Sequence, residues 1–144
     1  MTLVSRGADY AIRAMLDVAG QPQDTMTVTE KIAERQDIPV AFLSKVVAQL
    51  TQSGLLRTQR GAAGGVCLGR SAEEINLRQV VEAVQGPVVL NVCTGPYNGC
   101  DRAAVCPAQS VFDEAQRHLH QVLEKPSLAE LASLGAELAA KGQR

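Results

Sequence analysis

Residues 39–68 read Pro39-Val-Ala-Phe-Leu-Ser-Lys-Val-Val-Ala-Gln-Leu-Thr-Gln-Ser-Gly54, then Leu55-Leu-Arg-Thr-Gln-Arg-Gly-Ala-Ala-Gly-Gly-Val-Cys-Leu68. In the first half Leu43, Val46, Val47 and Leu50 recur at three- and four-residue steps, the period of a helix with one buried face. Pro39 suits the first turn of that helix and Gly54 the left-handed position that ends it. Ala41, Ser44, Lys45 and Gln49 fall on the outward face, with side chains able to meet base edges or phosphates. In the second half residues 55–60 alternate like a strand, Gly61 to Gly65 form a flexible turn, and Val66-Cys-Leu68 returns. A polar-faced helix followed by a two-stranded ribbon predicts a recognition helix and its wing. The wing carries Arg57, and glycines 61, 64 and 65 would let backbone approach DNA closely. Arg60, at the mouth of the tip, is placed to enter a minor groove.

The preceding stretch completes a reading pair. Thr27-Val-Thr-Glu30 has the spacing of a capping box, with Thr27 as N-cap of a short helix through Gln36. Thr27 opens the reading unit and joins the expected DNA-binding set. Before it, Ala8, Ala11, Ile12, Met15, Leu16 and Ala19 mark an amphipathic helix that Gly20 and Pro22 end. Helical hairpins without a nucleic-acid partner share much of this pattern; the ribbon distinguishes this one.

Charge points the same way. The net charge is −1, but from Arg35 to Arg70 five bases (Arg35, Lys45, Arg57, Arg60, Arg70) face the single acid Asp37. Residues 1–34 carry a balance of −2. A basic island in an acidic chain can provide a footprint for phosphates, although a solvated face would look the same. Aromatics make up 3% of the 144 residues and tryptophan is absent, so Ala, Val and Leu must fill the core, which favours close-packed helices. No run reaches the ~18 apolar residues of a membrane span, and the N-terminus lacks the layout of a secretory signal. The expected location is cytoplasmic, with no membrane partner. There, four cysteines argue for metal or redox chemistry before structural disulfides.

Three of those cysteines lie in one Gly/Pro/Asn-rich window, Cys93-Thr-Gly-Pro-Tyr-Asn-Gly-Cys100-Asp-Arg-Ala-Ala-Val-Cys106, six and five residues apart. Such a loop can fold three thiolates toward one point, as a metal or iron–sulfur cluster requires. Cys67, in the wing strand among residues facing DNA or solvent, reads as small filler, with an oxidation-sensitive thiol as the alternative. Asn76, with Gln79 three residues on, caps a helix burying Leu77, Val80, Val81 and Val84 that Gly86-Pro87 ends. Pro107 opens a long helix to about Glu124, whose Ala108, Val111, Phe112, Ala115, Leu119 and Val122 form a near-heptad seam. The expectation is a dimer helix, with Phe112 and Leu119 facing their twins; a seam covering the domain core is the alternative. Pro126 breaks it, Ser127-Leu-Ala-Glu130 caps a final helix, and residues 141–144 fray. The expected fold is therefore mainly α: a winged helix-turn-helix over residues 1–86, a cysteine-bearing sensor loop over 87–107, and dimerisation and C-terminal helices over 108–144. No nucleophile–base pair, phosphate loop or zinc-hydrolase motif suggests an enzyme.

These parts together resemble the winged-helix regulators of the IscR and NsrR type over nearly the whole chain. The most specific stretches are Asp9-Tyr-Ala-Ile-Arg-Ala-Met-Leu-Asp-Val-Ala19, the wing Arg60-Gly-Ala-Ala-Gly-Gly-Val-Cys-Leu-Gly-Arg70, Glu74-Ile-Asn-Leu-Arg-Gln-Val-Val-Glu-Ala-Val84 and the three-cysteine loop. The resemblance implies a homodimer on a two-fold-related double-stranded operator, acting as a repressor. It also implies an iron–sulfur cluster, of two-iron or four-iron type, that senses nitric oxide, redox or iron status through Cys93, Cys100 and Cys106. Relatives often space the cysteines five and five. The branch with a histidine fourth ligand carries it three residues past the last cysteine, where this chain has Gln109. Its histidines, His118 and His120, lie further along the helix, facing solvent or the dimer seam. The nitric-oxide-sensing branch draws a carboxylate from the first helix of the other subunit, which matches Asp9 of the partner subunit. A zinc- or thiol/disulfide-controlled regulator on the same DNA unit is the alternative.

Overall fold

The computed structural model describes residues 2–97 and 99–142. Met1, Asn98 inside the cysteine loop, and Gln143 and Arg144 of the expected tail lie outside the described residues. Among the described residues the chain forms six α-helices and one two-stranded antiparallel sheet. The order is α1 (Arg6–Ala19), α2 (Thr29–Gln36), α3 (Val40–Gln52), β1 (Leu56–Gln59), β2 (Gly65–Leu68), α4 (Leu77–Gln85), α5 (Gln109–Glu124) and α6 (Leu128–Gly142). None of these helices is long and apolar enough to cross a membrane.

Helix α1 is the spine. Ser5 caps it, its hydroxyl accepting from the Ala8 N–H at 3.1 Å, so the helix starts two residues before the apolar periodicity begins. Its buried face carries Ala8, Ala11, Ala14, Met15 and Val18. Three alanines on one face let neighbouring elements approach closely, and α2, α3, α4, α6 and β2 all pack against this helix. Met15, Ile32, Leu43, Leu50, Leu55, Ile75, Val80 and Leu128 are fully buried around it; each such side chain contributes about 1.5–3 kcal/mol. Asp17, also buried, receives Arg35 Nε at 2.9 Å, Arg35 Nη2 at 2.7 Å and Gln36 Nε2 at 3.0 Å. That bidentate pair locks α2 to α1. The hydrogen bond to Asp17 holds the Arg35 pKa above its ordinary value.

The α3 terminus follows the sequence reading. Gly54, at φ +82°, donates to Thr51 O at 3.1 Å and Leu55 N–H to Leu50 O at 3.0 Å, a Schellman turn that feeds the chain directly into β1. The wing pairs Leu56 with Leu68, Arg57 with Cys67, Thr58 with Val66 and Gln59 with Gly65. Asn76 and Gln79 form the expected reciprocal capping box on α4.

The capping box at Thr27 does not form. Helix α2 starts at Thr29 behind Val28, with no side-chain cap. Thr27 is instead held by a β-bridge, donating to Val66 O at 2.9 Å and accepting from Val66 N–H at 2.7 Å, with its side chain buried. A tertiary pairing thus overrides the local capping preference. This bridge explains Gly65: at φ +147°, any Cβ there would lie 2.6 Å from Thr27 O.

The C-terminal segment does not stand apart from the DNA-binding unit. Leu128 sits in the main core, its N–H bonded to Ile75 O at 2.7 Å, and Asn76 bridges to Ser127. Ser127 Oγ accepts from Glu130 N–H at 3.1 Å, as its capping motif predicts. Helix α5 begins at Gln109, two residues later than Pro107 suggested.

Gly65→Ala should therefore lower stability by about 1–3 kcal/mol in urea unfolding without DNA present. Wild-type stability would mean that the glycine serves something other than the Thr27 bridge.

Candidate nucleic-acid interface and cysteine loop

On α3 the side chains of Ala41, Ser44 and Lys45 are exposed, as the helical period required. Ser44 Oγ donates to Val40 O at 2.9 Å, leaving the hydroxyl oxygen free to accept. Gln49 is exposed but partly committed, its Nε2 donating to Val84 O at the end of α4 at 3.3 Å. Arg57, Thr58, Gln59, Arg60 and Gly61 are exposed along the wing, whereas Gly64 and Gly65 are half-buried against their own backbone. Among the described residues Lys45, Arg57 and Arg60 form no ion pair. Thr27 drops out of the DNA-facing set because it is 8% exposed and both its main-chain groups serve the wing.

Asp9 lies in the first turn of α1 with an exposed side chain, Oδ2 standing 3.3 Å from Arg13 Nε. Arg13 reaches further: Nη1 donates to Gln36 O at 2.8 Å, at the end of α2, and the guanidinium lies 4.8 Å from the centre of the Tyr10 ring. Tyr10 meets Phe42 of α3 edge-on, 5.2 Å between centroids. One continuous set of contacts therefore runs from Asp9 to both helices of the reading pair. Sequence reasoning missed Tyr10, Arg13 and Phe42 as a unit, because their spacing along the chain gives no sign that they stack.

The cysteine loop contains two short 3-10 turns, Val92–Thr94 and Ala103–Val105. Cys93, Cys100 and Cys106 are each partly exposed and none is in a disulfide. The structure brings them onto one loop but not to one point: among the described residues no three His, Cys, Asp or Glu side chains gather as a metal site. Cys67 is different. It is 3% exposed, packed beneath the wing rather than facing DNA or solvent.

The entrance of the loop is tied to both neighbouring helices. Val88 N–H donates to Glu82 Oε1 of α4 at 3.0 Å, and Gln116 Nε2 of α5 donates to Val88 O at 2.8 Å. His120, half-buried, has Nε2 2.9 Å from Val88 O, so this histidine joins the tie rather than standing free in solvent. His118 is exposed. Leu119 packs with Leu123 against Ala8, Val81 and Val88 of its own domain, which removes it from the expected seam. The apolar side chains of α5 that remain open are Val111 and Val122, at 67% and 68% exposure, with Phe112 less so. Gln116 stands among Arg117 and His118 between Ala115 and Leu119, so nothing in the local sequence marked it as the buried one.

A recognition helix led straight into a β-wing, mounted on a helical core and followed by a long helix, defines a winged-helix transcription regulator. The chain belongs to the Rrf2 family, whose model, described as an iron-dependent transcriptional regulator, matches residues 4–133. It is 34% identical to the HTH-type transcriptional regulator IscR of Yersinia pestis over 133 residues, 92% of this chain and 80% of that protein. The fold is shared with CymR, the global cysteine regulator of B. subtilis, at a TM-score of 0.76 and 22% identity, covering 93% of this chain and 98% of that one. IscR of T. potens matches at a TM-score of 0.75 and 24% identity, covering 94% and 89%. These relatives are named as regulators, not enzymes.

Lys45→Ala should reduce the salt slope of operator binding by about one unit if the ammonium meets a phosphate. Arg60→Ala should weaken binding and reduce the preference for narrow A·T-rich grooves. Titrations at several salt concentrations measure both, and binding unchanged in both variants would remove α3 and the wing as the contact surface.

Proposed function

We propose that this protein is a homodimeric repressor whose affinity for a two-fold-related operator is set by an iron–sulfur cluster on Cys93, Cys100 and Cys106, with Asp9 of the partner subunit as fourth ligand. The observation that carries the reading is the loop itself: three unpaired, partly exposed thiols between a helix of the DNA-binding unit and α5. The donor set suits iron, since thiolates are the usual cluster ligands and a carboxylate can complete the set. The family's description as iron-dependent supports it. Bound there, a cluster would supply a centre that nitric oxide or oxygen can modify.

The chain's own residues offer a route from that loop to DNA. An Asp9 engaged across the dimer can no longer pair with Arg13. Arg13 holds the end of α2 through Gln36 O and stacks on Tyr10, which packs on Phe42 of α3. Ligation therefore biases the position of the reading pair, which gives cluster state and operator affinity a shared physical element.

A thiol-controlled regulator without a metal is the second reading, favoured by three free cysteines that, among the described residues, form no metal-holding group; zinc on the same thiols would need them gathered as a cluster does. CymR of Staphylococcus aureus, solved in an oxidized form, shares the fold at 25% identity and a TM-score of 0.71, covering 92% of this chain and 96% of that one.

Purified without air, Cys100→Ala should hold no cluster, whereas Asp9→Ala should hold one with an altered absorption spectrum. A wild-type spectrum and an intact switch in Asp9→Ala would make Asp9 a helix-end charge and no more. A colourless wild-type protein would favour the zinc or thiol reading.

The dimer surface is assigned to the open α5 stripe of Val111, Ala115 and Val122, side chains that one helix face repeats at four- and seven-residue steps. Val122→Asp would place a charge at the two-fold axis and should give monomers in sedimentation, with operator affinity reduced. A stable dimer in this variant would move the interface off α5.

A further inference from the structure

Gln116 is the buried residue of α5, at 7% exposure, with none of the apolar character of its neighbours. Burying a primary amide is costly unless its hydrogen-bonding groups are matched. Here they are matched almost entirely by the first turn of the cysteine loop. Oε1 accepts from Leu90 N–H at 2.8 Å and from Thr94 Oγ1 at 2.9 Å, while Nε2 donates to Val88 O at 2.8 Å. His120 Nε2 lies 2.7 Å from Gln116 Nε2 and 2.9 Å from Val88 O; it accepts from the amide when unprotonated or donates to Val88 O when protonated, one or the other. The Leu90 N–H can only donate, so it fixes which end of the amide is oxygen.

The three loop residues held this way, 88, 90 and 94, bracket Cys93. Two further ties act on the same turn: Glu82 accepts the Val88 N–H, and Gln109 Nε2 donates to Cys93 O at 3.3 Å. Arg78 bonds to Glu82 at 3.1 Å and also to Glu124, so α4 and α5 are braced at this point. The hydrogen bond to Glu124 raises the Arg78 pKa above its ordinary value. Past Thr94, among the described residues, Ala103 N–H bonds to Cys100 O at 3.3 Å and Val105 N–H to Arg102 O at 3.0 Å as local turns, and Gln109 N–H of α5 to Cys106 O at 3.1 Å. Cys93 is thus held by side chains of α4 and α5 at the near end and Cys106 by the first residue of α5 at the far end, with Cys100 on the outer lobe between them.

We infer that Gln116 is the positioning residue of the loop: one buried amide holds the turn that carries Cys93 against α5. Any event that shifts Cys93 must then either break this clip or move α5 with it. The assignment of a sensory purpose rests on the reading of the loop given above; the clip itself does not.

The test uses the full-length, reduced, cluster-free protein. Gln116→Met keeps length and removes the three bonds to Val88, Leu90 and Thr94, and Thr94→Val removes one of them from the loop side in case the first variant folds poorly. Amide exchange by NMR should show Leu90 exchanging at least about tenfold faster in Gln116→Met, with a smaller change in Thr94→Val and no change in α3. Iodoacetamide should alkylate Cys93 faster in both variants, while Cys100 and Cys106 keep their rates. Unchanged exchange at Leu90 and unchanged alkylation of Cys93 would overturn the proposal. Acceleration of all three cysteines and the core amides together would overturn it too, since it would mark Gln116 as a general contributor to stability. A wild-type protein that never takes up iron would sink the cluster reading and leave these outcomes standing.

Discussion

The close approach permitted by Ala8, Ala11 and Ala14 is the constraint on which the molecule depends. A larger side chain at any of them would separate α1 from the helices around it, and every element of the DNA-binding unit is placed relative to that helix. The same helix carries two kinds of polar device on its other faces. Asp17 fixes α2 through a buried bidentate pair, which is rigid because an unpaired carboxylate there would be costly. Tyr10 and Arg13, half-buried, reach α3 and α2 through an edge-on ring contact and a 2.8 Å bond to Gln36 O, with only Asp9 exposed at the end of the set. Both ties stand on α1, so the placing of the reading pair is decided on one helix.

What the sequence made legible was local. Gly54, the Asn76–Gln79 box and the Ser127 cap act within a few residues, so their spacing along the chain carries the whole signal. The wing was legible for the same reason, as two short strands around a glycine turn. The misses are places where a distant partner decides. Thr27 had good capping neighbours, but Val66 took its backbone into a bridge. Leu119 obeyed the heptad period, yet the period does not say whether the covering surface is a twin or the chain's own Ala8, Val81 and Val88. His120 and Gln116 are polar residues whose partners are main-chain atoms of a loop some thirty residues earlier in the chain, which no spacing rule encodes. Cys67 was placed on the correct strand, but both faces of that strand are covered, since Val66 and Cys67 point oppositely and are both buried.

The candidate sensor shows the same division. The three cysteines were visible at once, and they do share a loop. That loop is bonded to α4 and α5 at its first turn and to the first residue of α5 at Cys106, and among the described residues the three form no metal-holding group. A donor set that must close around a guest can remain open in the chain alone, and the same openness suits thiols that react individually. The proposed cluster and the thiol alternative therefore differ less in fold than in whether the outer lobe has a reason to close. Exposed apolar side chains on α5 add a second requirement, since a partner subunit would cover that helix and supply the fourth ligand at the same time.

The central claim is that the state of the loop sets the affinity for DNA, and the direct measurement is operator binding by one anaerobic preparation before and after its iron is removed. Fluorescence anisotropy on a two-fold-related operator at fixed salt, with iron and sulfide counted in the same samples, gives both quantities together. The account predicts iron and sulfide at a constant ratio per subunit in the loaded form and an operator affinity that changes by at least about tenfold on removal, a coupling of about 1.4 kcal/mol. Equal affinity for the loaded and stripped forms would contradict it, whatever colour the protein has.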